Sequence, residues 1–420
     1  MDELEALTAL AANPAPQTVA SGRARLEAEA RRAAGAPARL SGRRRFLPPR
    51  ATLFTGFGLT LAGAAAVAVL TSGTATPRAP GGPGAPGGTD GSFLEVAAKA
   101  DLLPSGRYWY SDEIQGQSYM QRPKSGPYAI IGAHSETYQY VGAQRKDGSG
   151  FWGRDLPSRP ASAGDAAAWR RAGSPSSFRV WSNDHHWTYT TKATAWEDDP
   201  AGRGMGGRFP GLGPDRKSAT TGKKSMTVEG FAALPTDPAA LAELLFPKMT
   251  GFDALDPLGA NRMPKEEMLR LKQNPGSIPP RDMTPREKIS AGGTALKDMP
   301  LPPKVRSGLM RALAAQPGVH TVKNVRDPLG REGVALVADP VTRTVTGEYG
   351  TPKVEQGTYS EQEELVFDPK TGALLSQQNV LARPGGPYAA RKPGAVLSYW
   401  IVRSGGWTDA EPTPPAKLPF

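Results

Sequence analysis

The sequence predicts an α+β protein in which a mostly antiparallel sheet is interrupted by helices and preceded by one transmembrane helix. Three observations lead to this prediction. Residues 51–77 contain no charged side chain. Residues 74–92 are dominated by proline and glycine and cannot bury a core. Residues 93–420 combine alternating β-like segments, turn residues and amphipathic helical segments.

The apolar run at residues 51–73 is long enough for a membrane-spanning helix, because a bilayer core of about 30 Å needs about 20 residues at 1.5 Å each. On its far side only Arg78 is close. The positive-inside rule therefore predicts that residues 1–50 are cytoplasmic and that the bulk of the chain lies outside the membrane. Four arginines on the near side determine this topology: Arg43, Arg44, Arg45 and Arg50.

Two other interpretations of the apolar run stay open. The stretch "GRRRFL" at residues 42–47 approximates the twin-arginine export signal, and Gly73-Thr74-Ala75 would serve as a small-residue cleavage site. The run could also form a buried core helix. Residues 1–42 look like structure rather than the short basic leader of a signal peptide, which favours an uncleaved anchor.

The flanks of the predicted anchor differ in character. Residues 2–11 and 18–34 are predicted to form short helices, which are marginal without a core. The segment 1–50 is therefore either a frayed cytoplasmic tail or a region that folds on a cytosolic protein partner. Residues 74–92 form a linker, so the extracytoplasmic α+β domain is predicted to span residues 93–420.

The first part of this domain is predicted to be a short helix, Phe93–Ala100, followed by an antiparallel meander. In "SETYQYVGAQRKDGSGFWGRDL" the alternation continues to a hairpin turn at "KDGSG", where Asp147-Gly148 supplies the required positive φ. "FRVWSNDHHWTYTT" predicts a second hairpin around a polar turn. Residues near 197–227 are glycine-rich and predicted to be mostly loop.

The second part starts with helices. "LPTDPAALAELLF" predicts a helix capped by Thr236 or Asp237, and "PPKVRSGLMRALAAQPGV" predicts another that ends at Pro317-Gly318. Between them, residues 247–303 are predicted to be loop-rich with one helix near Lys265–Lys272. Two hairpins that turn at residues 327–330 and 368–372, and a final strand in "GAVLSYWIVRSGGW", complete the predicted sheet.

Charge and cysteine content exclude several classes of function. Residues 1–50 contribute +4 of the formal net charge of +11, and no Lys/Arg-rich block follows Arg50, so a nucleic-acid surface is not predicted. The chain has no cysteine, which excludes disulfides, a thiolate nucleophile and cysteine-based metal sites. This also excludes the His/Cys zinc motif of one large class of membrane-bound anti-sigma factors.

Motif by motif, the sequence predicts no catalytic, cofactor-binding or metal-binding residues, and hence no enzyme. In Asp184-His185-His186 the adjacent imidazoles of a strand would point to opposite faces, so a polar hairpin tip is a better interpretation than a metal site. "FDPKTG" resembles the phosphorylation motif of P-type ATPases, but Pro369 interrupts it, and a hairpin turn explains it. "TGKKS" has Lys217 where a phosphate-binding loop has its first glycine.

The aromatic residues of the first hairpins are the only candidate site. They either form the hydrophobic core of the sheet or line an open face that holds an acyl chain or a peptide. The candidates are Tyr108, Trp109, Tyr110, Tyr138, Tyr140 and Trp152.

Several motifs together give the chain a resemblance to a known family. These are "MDEL", the arginine run with the apolar segment, "YWY", "LPTDPAAL", "ALAAQPGV", "DPLGREGVAL" and "LVFDPKTGALL". They resemble an uncharacterised family of single-pass membrane proteins of high-GC actinobacteria, often encoded beside extracytoplasmic-function sigma factors. The domain pattern is also similar to the half-barrels of periplasmic lipoprotein carriers and sigma-regulator sensor domains, which implies a curved, half-barrel-like sheet.

These observations lead to one expectation and two alternatives. We expect a non-enzymatic protein of the cell envelope, anchored by a single span, with a cytoplasmic N-terminus and an extracytoplasmic binding or sensing domain. The resemblance implies a link to sigma-factor signalling. The first alternative is an extracytoplasmic carrier of lipid or lipoprotein, and the second is an exported hydrolase. The expected partners are the membrane, a cytosolic protein for residues 1–50, and a hydrophobic ligand or peptide for the outer domain, without cofactor or nucleic acid.

Overall fold

The computed structural model describes residues 91–182, 185–199, 209–210, 225–255, 263–347 and 350–420. Within them the predicted α+β class is confirmed: a large antiparallel sheet carries several helices. The predictions for residues 1–50, for the apolar run 51–73 and for nearly all of the linker fall outside the described residues. Among the described helices, none has the length and apolar character needed to cross a bilayer.

The strands vary from two residues to fifteen, and the long ones belong to one sheet. In chain order they are β1 (Tyr108–Gln121), β2 (Tyr128–Gly142), β3 (Ser149–Asp155), β4 (Arg159–Pro160), β5 (Ser177–Ser182), β6 (His185–Thr190), β7 (Glu197–Asp198), β8 (Phe209–Pro210), β9 (Ser225–Met226), β10 (Val319–Arg326), β11 (Glu332–Ala338), β12 (Val341–Val345), β13 (Gly357–Phe367), β14 (Leu374–Arg383) and β15 (Val396–Thr408).

The described α-helices are short, and most lie between β9 and β10. They are α1 (Gly91–Ala100), α2 (Ala163–Arg171), α3 (Val228–Ala232), α4 (Pro238–Leu245), α5 (Lys265–Gln273), α6 (Pro285–Asp298) and α7 (Pro303–Ala314). Side-chain caps fix several starts. Asp237 accepts from the Ala240 amide at the start of α4, and Thr284 forms a capping box with Glu287 at the start of α6.

The main sheet has eleven strands in the order β10-β11-β13-β14-β15-β1-β2-β3-β7, with β12 beside β13 and β4 beside β2. Its first and last long strands are neighbours near the middle: β1 pairs with β15 from Tyr108 opposite Thr408 to Gln117 opposite Ser398. The hairpin β5-β6 forms a separate two-stranded sheet. Chain segments from both halves of the domain therefore build one continuous sheet.

Helices α1, α4, α6 and α7 cover one face of this sheet. Helix α7 packs against α1 and α4, and α6 packs against α7 and strands β11, β13 and β14. Fully buried side chains such as Phe93, Leu309 and Phe367 form the main hydrophobic core between these two layers. Burial of this apolar surface is the dominant contribution to the stability of the domain.

Most of the predicted turns and helices of the described residues are present in the structure. The hairpin turns at residues 146–150, 327–330 and 368–372 are confirmed, and Gly148 has φ +76° as expected. The helices at 93–100, 238–245 and 303–314 are present. Residues 247–303, predicted to be loop-rich with one helix, contain α5 and also the fourteen-residue α6, which the sequence reasoning missed.

Candidate functional site

The two faces of the main sheet carry different candidate surfaces. Successive residues of a strand point to opposite sides, so Tyr108 and Tyr110 share one face and Trp109 lies on the other. One face is covered by the helices. The opposite face is covered near β1, β2, β3 and β15 by residues 411–420.

Five of the six predicted aromatics come together on the face opposite the helices, where Trp196 joins them. The rings of Tyr108 and Tyr140 meet edge to face at 5.7 Å, and those of Tyr140 and Trp152 stack at 6.1 Å. We call this group the aromatic face: Tyr108, Tyr110, Tyr138, Tyr140, Trp152 and Trp196. Burial raises the pKa of Tyr110 and of Tyr138, so both phenols are neutral at physiological pH.

Trp109 does not belong to the aromatic face. Its ring is buried with Val141 in the core beneath the helices. Three consecutive aromatic residues in a strand cannot share one side, because the side-chain period of a strand is two. The alternation of a strand, applied to "YWY", is the signal in the sequence that places Trp109 on the other face from Tyr108 and Tyr110.

A buried ion cluster lies on the same side of the sheet as the aromatic face. Glu136 is fully buried and accepts hydrogen bonds from Arg154 Nε and Arg403 Nη1, each at 2.6 Å. Asp112 lies beside them, with Arg403 Nη1 at 4.0 Å from its carboxylate. Burial, reinforced by the charge of Glu136, raises the pKa of Asp112 well above its ordinary value. The sequence reasoning identified none of these residues.

On the helix-covered face, a cavity of about 340 Å³ lies between strands β1, β14 and β15 and helices α6 and α7. We call it the helix-side pocket. Its walls are mostly apolar, with Trp109, Leu301 and Trp407 among them. The described lining residues include no carboxylate, but they include four basic residues: Lys297, Arg306, Arg331 and Arg403.

Three of these four basic residues have partners. Lys297 Nζ contacts both carboxylate oxygens of Asp298 at 2.6 and 2.7 Å, and Arg331 pairs with Asp327 at 2.6 Å. Arg403 pairs with Glu136 on the other side of the sheet, as described above. The charges of these three residues are therefore already compensated.

Arg306 is the exception. It lies in the first turns of α7, half-buried at the pocket wall, and its guanidinium has no hydrogen-bond or ion-pair partner among the described residues. Burial lowers its pKa to about 10, which still leaves it charged at physiological pH. The first turn of α7 contains no acidic residue. The helix dipole disfavours cations at an N-terminus, so a basic residue such as Arg306 near the start of the predicted helix "PPKVR" was a signal in the sequence that could have pointed to this residue.

Glu113 is a buried carboxylic acid next to Lys297 of the helix-side pocket. Ser111, in the pocket wall, donates to Glu113 Oε1 at 2.9 Å, and Lys297 Nζ lies 3.5 Å from Glu113 Oε2. Because Lys297 is held more closely by Asp298, it compensates Glu113 only in part. Burial therefore raises the pKa of Glu113 to about 8. Burial alone would lower the pKa of Lys297, but the nearby carboxylates of Asp298 and Glu113 outweigh it and raise that pKa.

The histidine pair of the hairpin β5-β6 does not converge. The ring of His186 contacts Trp181 at 5.2 Å and that of His185 contacts Trp187 at 4.5 Å, so the two imidazoles have separate surroundings. Asp184 lies outside the described residues. Within the part of the chain that the structure describes, no group of three or more His, Asp or Glu side chains could hold a metal ion.

Comparisons of the chain with known protein families, with curated proteins and with solved structures find no match.

Proposed function

We propose that residues 93–420 are a non-enzymatic binding domain whose helix-side pocket takes an amphiphile with an anionic group. One observation carries this proposal: in the wall of a mostly apolar cavity, the charged guanidinium of Arg306 has no partner among the residues that the structure describes. A half-buried cation without a counter-charge is unfavourable, and an anionic ligand would remove that penalty. The apolar walls would take the hydrocarbon part of the same ligand.

The size of the pocket fits this ligand class. At about 340 Å³ it is near the lower end of the range of small-molecule sites, about 300–1,000 Å³. The carboxylate or phosphate of the ligand would accept from Arg306, the residue at the start of α7. Trp109 and Trp407 would contact its apolar part.

The remaining parts of the proposal rest on the sequence. We infer that residues 51–73 anchor the protein in the cell membrane with residues 1–50 in the cytoplasm, and that binding outside is linked to sigma-factor signalling inside. A pull-down with the full chain and with a variant lacking residues 1–50 tests this link. Loss of a retained sigma factor on deletion is expected, and equal retention by both proteins would contradict it.

A second candidate function uses the same pocket. The mostly apolar wall also suits an extracytoplasmic carrier that takes up lipid or lipoprotein and releases it to an acceptor. A carrier would transfer bound ligand to acceptor vesicles, whereas a sensing domain would retain it. An exported hydrolase is the third interpretation, and nothing in the described pocket wall favours it over binding.

The test compares two probes with the full chain in nanodiscs of zwitterionic lipid: a fluorescent long-chain fatty acid and the corresponding neutral alcohol. We expect the acid to bind more tightly by about tenfold to a hundredfold, since a hydrogen bond to a charged group contributes about 1.5–3 kcal/mol. Arg306→Gln should remove this preference. The control, Arg326→Gln, changes an exposed arginine of β10 and should retain it. Equal binding of acid and alcohol to the wild type would contradict the proposal.

A further inference from the structure

Residues 411–420, "EPTPPAKLPF", cross the face of the sheet opposite the helices without joining it. Prolines occupy positions 412, 414, 415 and 419, so much of the segment lacks backbone N–H donors and favours an extended, polyproline-like conformation. Accordingly, residues 411–420 contain no described strand. We call them the tail segment.

Side chains of the sheet region bind the tail segment through its backbone carbonyls. Trp196 Nε1 donates to the carbonyl oxygen of Pro415 at 2.8 Å. Arg154 Nη2 donates to that of Lys417 at 2.8 Å, and Arg403 Nη1 donates to the same oxygen at 3.1 Å. Aromatic rings and fixed donors along free carbonyls are the general means of recognising proline-rich segments.

The two ends of the tail segment have their own contacts. Tyr140 donates from its hydroxyl to Glu411 Oε1 at 2.8 Å. At the other end the ring of Phe420 lies 3.8 Å below the Arg159 guanidinium and 5.2 Å from the ring of His134. Burial lowers the pKa of His134 to about 4, so this contact involves a neutral imidazole at physiological pH.

The arginine donors also have contacts within the sheet region, apart from those to the tail segment. Glu136 fixes both Arg154 and Arg403, and Arg154 also lies over the ring of Trp196 at 4.3 Å. A site whose donors are already held in place loses little conformational entropy when a ligand binds.

The tail segment itself is bound only shallowly. Most of its residues are exposed, and its large apolar side chains Leu418 and Phe420 retain 40% and 47% exposure. Beneath it, Arg154 is only 4% exposed. Pro412 is the one buried residue of the segment, so the segment adds little to the core and mainly covers polar groups that water could also solvate.

We propose that this surface, formed by Trp196, Arg154, Arg403, Tyr140 and Arg159, is a binding site for an extended proline-rich segment of a partner polypeptide. The tail segment occupies the site in cis and competes with that partner. Arg403 also lines the helix-side pocket, but its guanidinium binds the tail segment on the opposite side of the sheet, and this inference does not depend on the proposed function.

The effective concentration of a tethered ligand determines how the test is designed. A segment linked to its own site is present there at an effective concentration of the order of millimolar. To displace the tail segment from the wild type, a free peptide of similar affinity must therefore be present above this effective concentration. Weakening the cis contacts should therefore reveal binding at much lower peptide concentrations.

The first experiment uses the full chain with Glu411→Ala and Phe420→Ala, which removes the contacts at both ends of the tail segment. The probe is a fluorescein-labelled peptide with the sequence of residues 411–420, measured by anisotropy. We expect at least tenfold tighter binding to this variant than to the wild type. Adding Trp196→Phe should weaken binding severalfold, because the ring stays and the donor is lost. Trp181→Phe, the same substitution on β5, is the matched control and should have no effect.

The second experiment keeps the site intact and does not depend on the folding of these variants. The chain contains no cysteine, so Leu418→Cys gives a single labelling position on an exposed side chain. A fluorophore there should be quenched by Trp196, and unlabelled peptide above the millimolar effective concentration of the tail segment should relieve the quenching. A peptide with alanine at its four proline positions should not.

Three results would overturn the proposal. These are no peptide binding by a folded Glu411→Ala, Phe420→Ala variant, equal binding of the proline and alanine peptides, and a doubled mass by light scattering. The last result would mean that two copies of the chain exchange tail segments.

Discussion

Glu113 gives the domain a pH-dependent stability that can be removed by one substitution. Its side chain is 2% exposed, and burial raises its pKa from 4.5 to about 8. The folded state therefore holds a proton that the unfolded state loses above about pH 4.5. This contribution to stability is complete below pH 4.5 and is lost as the pH rises toward 8. Glu113→Gln has the shape of the protonated carboxyl and cannot ionise, so it should not lose that stability.

The magnitude follows from the width of this window. From 4.5 to about 8 is about 3.5 pH units, and one proton of linkage corresponds to about 1.4 kcal/mol per unit. Through Glu113 alone, the free energy of unfolding should fall by at most about 5 kcal/mol across the window. Asp112, whose pKa is also raised by burial, contributes in the same direction and keeps some pH dependence in the variant.

Urea unfolding of the full chain in detergent, followed by tryptophan fluorescence, measures this effect between about pH 5 and about pH 8. Wild type and Glu113→Gln should have similar stability at the lower pH, and the variant should be more stable by several kcal/mol at the higher. Glu332→Gln, at an exposed carboxyl of β11, is the control and should follow the wild type. If the free energy of unfolding depended on pH in the same way for wild type and Glu113→Gln, the assignment of a raised pKa to Glu113 would be refuted.

Two further substitutions test the packing around the candidate surfaces. Glu136→Gln should lower the free energy of unfolding by about 3–5 kcal/mol, because it leaves Arg154 and Arg403 without their buried counter-charge. By contrast, Glu332→Gln should change the free energy of unfolding by less than about 1 kcal/mol. Equal losses of unfolding free energy in the two variants, measured by urea unfolding, would contradict this prediction. Thr284→Ala removes the capping box of α6 and should lower the free energy of unfolding by about 0.5–2 kcal/mol, which would be seen as a decrease in Tm. Thr284→Ser keeps the hydroxyl, so a shift as large as that of the alanine variant would argue against capping.

Much of the fold could be predicted because its determinants are local. Hairpin turns depend on residues such as Gly148 and Gly372, both at positive φ, and helix starts depend on caps such as Asp237. Helix α6 was missed for a non-local reason. It contains Gly292 and Gly293, which lower helix propensity and suggest a loop. A Cβ at these positions would lie 2.5 Å from Leu313 and 2.6 Å from Leu365, so the glycines allow α6 to pack closely against α7 and the sheet.

The candidate site could be predicted only in part. The aromatic residues stood out because they are close in sequence, and strand alternation explains which of them share a face. The helix-side pocket combines Trp109, Arg306 and Val402, which are far apart in sequence. No single stretch carries that arrangement, since it depends on which strands become neighbours. The pairing of Arg403 with Glu136 was hidden for the same reason.

The pairing of β1 with β15 has a consequence for the order of folding. These two strands lie near the middle of the sheet, yet about 300 residues separate the paired positions Tyr108 and Thr408. Contacts of such large sequence separation form late, because a long loop must close first. Until β15 is in place, β1 and β14 therefore each present an unpaired edge in what becomes the middle of the sheet.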